Sequence, residues 1–502
     1  MPADVHQAGG AGAAGAAPVP ARSPWRILGA VGFGGFLTPF EGSLVSVGLP
    51  VLSRTFMTDL QTIAWVIIAY MLTVSGLMLL FGRLGDLIGH RRLYRLGFVC
   101  FSLGSLLCGM ASSVLALIAF RMVQGVGGAM LMAVGPALIT RSFPAHRRGQ
   151  ALGTYVGIVY VGLTVGPLAG GLVTELLGWR WIFLINLPVG VAGYVMSTLL
   201  LAPEHPGGGK HRFDVAGALA FIVALTALLL ALYRGRAWGW GSPLILLLLA
   251  LAVGAGVVFL RLEASRPEPM LDLNLFRSRL FAAATASALF NYLCMYSVVV
   301  LTPFYLIQLR GFTPSRAGIL LTAMPLIMVV MAPLSGWLSD RIGSRIPASL
   351  GMASQGVGAL LLSGLTPAST TGEIVLGLGC MGLGAGLFSS PNNSALMGAA
   401  PRERQGVAAG IVATARHTGM VLGTAITGAL FSGRLERYRQ LLQAEPQAFT
   451  GAFHDALLAI ALVAGLGVIT SLVRGRTHPA WPDLTQAGGS AGAPRGGRGR
   501  PG

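Results

Sequence analysis

The chain has 502 residues, of which 54% are hydrophobic and only 10% are charged, and its mean hydropathy is +0.72. Soluble domains usually carry about 25% charged residues, so this composition excludes a soluble enzyme and a protein with a single membrane anchor. The formal net charge is +18, but the basic residues stand in short clusters between apolar runs. They do not alternate with aromatic residues as in nucleic-acid grooves. We therefore predict an all-α, multi-pass membrane protein that binds no nucleic acid.

Fourteen apolar runs follow one another along the chain, each long enough for a helix that crosses a bilayer. They are expected near residues 26–50, 61–81, 94–114, 116–140, 150–174, 180–202, 214–233, 242–261, 280–308, 315–338, 346–366, 373–398, 406–432 and 452–473. The composition of segments 1–25 and 475–502 predicts disordered tails. Lys and Arg are more frequent in the loops on the side of the two tails, which predicts that both termini are cytoplasmic.

An internal repeat divides these spans into two halves. The second span is followed by GRLGDLIGHRR (82–92) and the tenth by GWLSDRIGSR (336–345), and both sequences follow the pattern G-x-L-x-D-x-x-G-x-R. Transporters are often built from such repeats. The recurrence predicts two six-helix bundles, over residues 26–202 and 280–474, with two extra helices in the linker 203–279.

Several motifs resemble signatures of the major facilitator superfamily. GRLGDLIGHRR resembles its cytoplasmic loop between helices 2 and 3, and RMVQGVGGAM (121–130) resembles its span-4 signature. GLTVGPLAGG (162–171) resembles the antiporter signature of its drug exporters. WRWIFLINLPVG (179–190), PRERQGVAAGIVATARHTG (401–419) and the six-plus-two-plus-six plan are similar to its fourteen-span drug/proton antiporter branch.

This resemblance covers about residues 26 to 475, with two departures. The first span carries Glu41, Ser43 and Ser46 where the branch usually has Asp, Thr and Asn, and Leu87 stands where a basic residue is usual. The resemblance implies the major facilitator fold and a proton-coupled antiporter that exports amphipathic small molecules such as drugs or antibiotics through the plasma membrane. The implied partners are this substrate, protons and lipid, with no cofactor, and the implied working unit is a monomer.

Two other interpretations remain open from the residues themselves. The same fold could carry a uniporter or an importer of a small metabolite, and more remotely the chain could be a membrane protein that transports nothing. The catalytic signature HExxH is absent from the sequence. The single lysine, Lys210, lies in GGGKHR, which lacks the spacing of a phosphate-binding loop, so ATP does not drive this chain. The four cysteines lie inside apolar runs without metal-ligand spacing, which predicts no metal site.

Glu41 is the one acid well inside an apolar run. A charged residue at the centre of a span costs about 2.5–3.5 kcal/mol on insertion scales, so Glu41 must face a partner or a cavity. We predict that it carries the coupled proton, and the alternative is a solvated carboxylate near the helix end. Arg121 in the fourth span is predicted to hold Glu41 ionised, or alternatively only to bind backbone carbonyls.

Three further motifs are predicted to control access to the central part of the protein from the two sides of the membrane. Asp86 is expected to hold the cytoplasmic side closed through loop arginines or a helix N-terminus, with a related contact around Asp340. In the fifth span, glycines at every fourth position and a proline predict a hinge or a seal, or else plain close packing. The residues of these three motifs are Gly82, Leu84, Asp86, Gly89, Arg91 and Arg92; Gly336, Asp340, Gly343 and Arg345; and Gly162, Gly166, Pro167, Gly170 and Gly171.

Arg416 and His417 lie in the thirteenth span and are candidates for the cavity or for a proton relay. A hydrogen-bonded structural histidine is the simpler interpretation of His417. If both Arg121 and Arg416 line the cavity, its charge is net positive even with Glu41 ionised, because guanidinium does not lose its proton. Neutral or anionic amphiphiles, or at most monocations, should then be preferred over rigid dications.

Overall fold

The computed structural model describes residues 23–144, 147–201, 215–265, 273–400, 405–442 and 444–474. Within these ranges the chain is almost entirely helical and contains no β-strand, which confirms the predicted all-α fold. The predicted tail 475–502 lies outside the described residues, as does the predicted tail 1–25 except for its last three residues.

The first half contains eight helices, and two more follow it. They are α1 (Pro24–Thr55), α2 (Leu60–Ile63), α3 (Trp65–Ile88), α4 (His90–Gly109), α5 (Val114–Ser142), α6 (Arg148–Leu176), α7 (Arg180–Leu184), α8 (Asn186–Leu200), α9 (Val215–Trp238) and α10 (Pro243–Ser265). The second half begins with a short 3₁₀-helix at Leu273–Arg277. It continues with α11 (Arg279–Phe304), α12 (Pro314–Leu321), α13 (Ala323–Ile342), α14 (Arg345–Ser363), α15 (Thr371–Ala399), α16 (Gln405–Leu442) and α17 (Glu445–Val473).

Eleven helical segments of the described residues are long and apolar enough to cross a membrane, so the chain is a multi-pass membrane protein. The helices α4, α9 and α16 occupy the positions of the predicted third, seventh and thirteenth spans. Their described residues are not long and apolar enough to count among the eleven. In α4 the reason is visible, because Arg91, Arg92 and Arg95 occupy its first two turns. The total of fourteen spans therefore stays a prediction.

The internal repeat is visible in the packing. In the first half α1 packs against α6, and α5 packs against both α3 and α4; in the second half α11 packs against α16, and α15 against both α13 and α14. The repeated motif forms the same turn twice. Gly89, with φ 95°, follows the last residue of α3, and Gly343, with φ 81°, follows the last residue of α13. This conformation suits glycine because a side chain at positive φ meets a steric clash.

Helices α1 and α6 touch through their backbones. A Cβ atom added at Gly170 would lie 2.6 Å from the carbonyl oxygen of Leu44, and one at Gly162 would lie 2.5 Å from that of Phe36. Gly166 lies between them on the same face of α6, and a Cβ atom added there would clash with the side chain of Ser43. The fifth-span glycines therefore form the α1–α6 contact, as small residues do in membrane helix pairs.

The two halves meet at the end of the bundle where α1 ends, which we call the far side; the near side is where α1 begins. Gly171 of α6 lies directly against the backbone of Pro314 in α12, and Gly318 of α12 lies against the backbone of Pro167. Neither glycine has space for a side chain. The far side is therefore closed by two reciprocal backbone contacts between α6 and α12.

Two hydrogen bonds reinforce this closure. The backbone N–H of Ser315 donates to Oε2 of Glu175 at 2.9 Å, and Nη2 of Arg54 donates to the carbonyl oxygen of Ile307 at 3.1 Å. Each bond joins a residue of the first half to a residue of the second. Because both lie at the surface end of the helices, they add specificity to a contact that backbone packing dominates.

We expect Gly170→Ala to destabilise the protein by about 1–3 kcal/mol, the usual cost of overpacking, because its methyl group would push α1 and α6 apart. Gly157→Ala on the same helix is the matched control, since the space around Gly157 is open and alanine favours a helix over glycine. Thermal unfolding of the purified proteins in detergent measures both effects. Equal melting temperatures for the two variants would contradict the packing described here.

Candidate functional site

Glu41 of α1 is paired inside the first bundle. Its side chain has no exposed surface, which rules out the solvated alternative. One carboxylate oxygen, Oε1, accepts a hydrogen bond from Nη1 of Arg121 in α5, and the other, Oε2, accepts one from Nδ2 of Asn186 in α8 at 2.6 Å. The structure thus brings together the acid and the arginine that the sequence singled out.

Arg121 is held from several directions. Its Nε donates to the carbonyl oxygen of Val66 at 2.8 Å, so it binds a backbone carbonyl as well as the carboxylate. Its Nη1 also donates to Oε1 of Gln124, whose Nε2 in turn donates to Oγ of Ser105 at 2.7 Å. The guanidinium carbon lies 4.3 Å from the centre of the Tyr70 ring, a cation–π distance. This polar cluster connects α1, α3, α4, α5 and α8.

Sequence reasoning missed Asn186, Tyr70 and Ser105 of this cluster. A signal for Asn186 was available, since it is a polar residue inside the apolar run 180–202 and polar residues there are rare and usually functional. Tyr70 gave none, because a tyrosine in an apolar run is equally typical of ordinary packing. Its hydroxyl is buried without a hydrogen-bond partner among the described residues.

The opposite side of α1 faces a central cavity. Successive residues of an α-helix are rotated by about 100°, so Ser43 and Ser46 project away from the side that carries Glu41. Both serines line the cavity, whereas Glu41 does not. Helix α1 therefore separates the buried ion pair from the cavity, with one face bonded to α5 and α8 and the other face forming the cavity wall.

The cavity lies between the two halves, with walls from α1, α6, α11, α12, α13 and α15. Its wall is mainly apolar, and three methionines, Met295, Met324 and Met328, contribute to it. Methionine side chains adapt to irregular shapes. The polar groups come from Ser43, Ser46 and Tyr296, and no Lys, Arg, Asp or Glu of the described residues lines this volume.

The predicted preference for neutral or anionic substrates required that both Arg121 and Arg416 line the cavity. The structure does not meet this condition, because Arg121 lies behind α1 and is neutralised by Glu41. Arg416 of α16 is half-buried, and its guanidinium carbon lies 5.7 Å from the centre of the Tyr292 ring. His417 is only 7% exposed, and neither ring nitrogen has a hydrogen-bond partner among the described residues. The structure thus supplies neither a relay partner nor a structural hydrogen bond for His417.

The residues of the two loop motifs do not gather at one point. In the first motif, Nη2 of Arg91 donates to the carbonyl oxygen of Thr198 in α8 at 2.7 Å, Arg92 is exposed and Leu84 is half-buried. The side chain of Asp86 lies outside the described part of the structure. In the second motif, Asp340 is exposed and Arg345 is half-buried. The gate at Asp86 and its counterpart at Asp340 therefore stay predictions.

The second half contains a neutral counterpart of the polar cluster. Nε2 of Gln355 in α14 donates to Oδ1 of Asn291 in α11 at 2.7 Å, and both side chains are buried. An amide pair carries no charge and cannot exchange a proton near neutral pH. Among the described residues, the buried ion pair between membrane-spanning helices is a feature of the first half.

We expect Arg121→Met to lower the free energy of unfolding by about 3–5 kcal/mol, the cost of leaving one member of a buried pair without its partner. The double variant Glu41→Gln/Arg121→Met should recover part of this loss, because it leaves no buried charge. Melting temperatures of the wild type, both single variants and the double variant in detergent complete the cycle. Additive losses in the double variant would show that the two side chains do not act as a pair.

Comparisons with known proteins agree with this architecture. The family model described as Major Facilitator Superfamily matches residues 31–424. The riboflavin transporter RibZ of Clostridioides difficile (strain 630) is 34% identical to this chain over 457 residues, covering 90% of this chain and 97% of that protein. The multidrug resistance protein Stp of Mycobacterium tuberculosis (strain CDC 1551 / Oshkosh) is 34% identical, covering 82% of this chain and 77% of that protein.

Two further comparisons concern an exporter and a solved structure. The tetracenomycin C resistance and export protein of Streptomyces glaucescens is 30% identical, over 82% of this chain and 77% of that protein. The inward-facing, unoccupied structure of a bacterial homologue of the human lysosomal transporter Spinster superposes with a TM-score of 0.66 at 17% identity, covering 92% of this chain and 100% of that one. The chain therefore belongs to the major facilitator superfamily.

Proposed function

We propose that this protein is a proton-coupled antiporter that exports amphipathic small molecules from the cytoplasm by alternating access. The observation that carries the proposal is the position of α1, which holds Glu41 in a buried ion pair on one face and lines the central cavity with Ser43 and Ser46 on the other. In this proposal the membrane is the plasma membrane, the near side is cytoplasmic, both termini lie on that side, and the working unit is a monomer.

Proton binding at Glu41 would change the charge balance behind α1. With Glu41 ionised, the pair is neutral and its two oxygens are occupied by Arg121 and Asn186. With Glu41 protonated, Arg121 becomes a buried cation without a counter-ion, which is strongly unfavourable in a low-dielectric interior. The bundle relieves that cost by moving α1, by admitting water or by releasing the proton. Each proton event therefore acts on the helix that also forms the cavity wall.

The cavity suits amphipathic substrates. A lining of methionines, leucines and valines favours apolar ring systems. The few hydroxyl groups orient a ligand without imposing a single hydrogen-bond pattern, and flexible methionines tolerate different shapes. These properties support export of several related compounds rather than one small, highly polar metabolite.

Alternating access requires that the far-side closure opens. The contacts of Gly171 with Pro314 and of Gly318 with Pro167 are backbone contacts, and these are the contacts that must separate. Closure on the far side corresponds in this proposal to a conformation open to the cytoplasm. The fifth-span motif then has two roles: its Gly162, Gly166 and Gly170 pack α6 on α1, and Gly171 seals the far side.

A second candidate is the uptake of a metabolite on the same fold. It is favoured by the 34% identity to a riboflavin transporter that this chain matches over 97% of its length. The two functions differ in the direction of transport and in their response to a proton gradient. Inside-out vesicles energised by acidification of their lumen, supplied with riboflavin and a panel of dyes and antibiotics, separate them. Antiport export predicts gradient-dependent accumulation inside these vesicles.

Glu41→Gln should abolish this accumulation, because glutamine keeps the shape of the side chain but cannot exchange a proton. Binding of the same compounds to the purified variant should remain, since Glu41 does not line the cavity. Glu436→Gln is the matched control, because Glu436 is an exposed acid of α16. A Glu41→Gln variant that still concentrates the compounds against a gradient would place the proton site elsewhere.

Gly171→Val should shift the protein towards a conformation open on the far side, because valine cannot fit against the Pro314 backbone. A Ser46→Cys reporter in the cavity wall should then react faster with a membrane-impermeant maleimide applied from the far side. Gly157→Val on the same helix is the control, and the protein without the reporter gives the background of the four native cysteines. Identical labelling rates in both valine variants would contradict this closure.

A further inference from the structure

Arg416 is the basic side chain that the proton-coupling cluster leaves without a function. It lies on α16, is half-buried, and makes no hydrogen bond or ion pair with the described residues, and its Nε is buried without an acceptor. Its guanidinium carbon is 5.7 Å from the centre of the Tyr292 ring on α11. Arg121, by contrast, is bonded to Glu41, Gln124 and Val66.

Arg416 also lies within electrostatic range of the first half. Its charge is close enough to the phenol groups of Tyr155 and Tyr160 on α6 to act on them electrostatically. The hydroxyl of Tyr160 is 3.4 Å from Oγ of Ser389 on α15, a hydrogen bond that crosses from the first half to the second. The guanidinium therefore lies beside Tyr292 of the second half, near the tyrosines of α6 that border the cleft between the halves.

This part of the cleft adjoins the central cavity on its near side. Tyr292 precedes Tyr296 by four residues on α11, and Tyr160 precedes Leu163 by three residues on α6, spacings that place each pair on one face of its helix. Tyr296 and Leu163 both line the cavity. A molecule in the cavity would therefore reach Arg416 with a group that projects one helical turn towards the near side.

Arg416 has no acidic partner among the described residues. Glu41, the one acid well inside a predicted span, is already paired with Arg121, and no carboxylate of the described residues forms an ion pair with Arg416. A guanidinium without a counter-ion in a low-dielectric cleft attracts anions strongly. Its planar donors match a carboxylate in two parallel hydrogen bonds, and neighbouring tyrosine rings offer flat surfaces to an aromatic ligand.

We propose that Arg416, together with Tyr160 and Tyr292, forms a subsite for the anionic group of an aromatic amphiphile whose rings occupy the methionine-lined cavity. This inference rests on the proposed function and names its substrate class: aromatic compounds with one acidic group on an otherwise apolar skeleton. Two different arginines then have different roles: Arg121, behind α1, belongs to the coupling pair, and Arg416, beside the cleft, binds the negative charge of the substrate.

Three probes of equal shape test the subsite: 9-anthracenecarboxylate, 9-anthracenemethanol and 9-anthracenemethylamine. Their binding to the full-length protein in lipid nanodiscs is measured by anthracene fluorescence. The wild type should bind the anion about tenfold more tightly than the alcohol, as expected for a charge-assisted hydrogen-bonded contact, and the amine most weakly. Arg416→Gln should remove the preference for the anion and leave the affinity for the alcohol unchanged. Arg416→Lys should retain part of the preference, because lysine keeps the charge without the planar donors.

Arg437→Gln is the matched control, because it removes the same charge from an exposed position of the same helix; it should bind like the wild type. The inference is overturned if the wild type does not prefer the anion, or if Arg416→Gln keeps that preference. Accumulation of the dye and antibiotic panel in energised vesicles, measured on the same variants, reports on export separately. If Arg416→Gln still exports neutral compounds but no longer prefers the anion, the subsite is supported. If neither the wild type nor any variant exports the compounds, only the proposed function is contradicted.

Discussion

The ion pair between Glu41 and Arg121 is the interaction on which the arrangement of the first bundle depends. Both side chains are fully buried, so neither can be hydrated, and each would be strongly unfavourable without the other. Their pairing joins α1 to α5, the bond from Asn186 adds α8, and the bond to Val66 adds α3. A change in the charge of one carboxyl group is therefore felt by four helices at once, which is the property that a coupling site needs.

The proposed coupling also requires that a change in the charge of Glu41 affects the substrate, although Glu41 does not contact the cavity. Helix α1 meets it because its period places Ser43 and Ser46 in the cavity wall while Glu41 faces away. The contact between α1 and α6 is made through glycines and leaves little space between the backbones. A displacement of α1 is then transmitted to α6, and through Gly171 to the far-side contact with α12. Tight packing transmits such displacements because it deforms little.

Charge is distributed unequally between the two halves. The first half holds its buried charge as a neutral pair, and the second half holds a neutral amide pair, Gln355 with Asn291, in its interior. Arg416, which makes no ion pair with the described residues, lies beside Tyr292 near the central cavity. In the proposed function, this separation assigns proton exchange and ligand recognition to different side chains, which are coupled through helix position.

The sequence alone determined the class of the protein, its repeat and the superfamily resemblance, and it predicted the pairing of Glu41 with Arg121 as one of two alternatives. These follow from general rules: a chain so poor in charge needs a bilayer, and the few charges inside apolar runs must find partners. Only the tertiary structure decided that the pair lies behind α1 and outside the cavity, that Asn186 and Tyr70 complete the cluster, and that Arg416 lies near the cleft. The physical reason is helix rotation. Which neighbour a side chain meets depends on how each helix is turned about its axis, and contacts between distant glycines and backbones, such as Gly170 with Leu44 and Gly171 with Pro314, set that rotation.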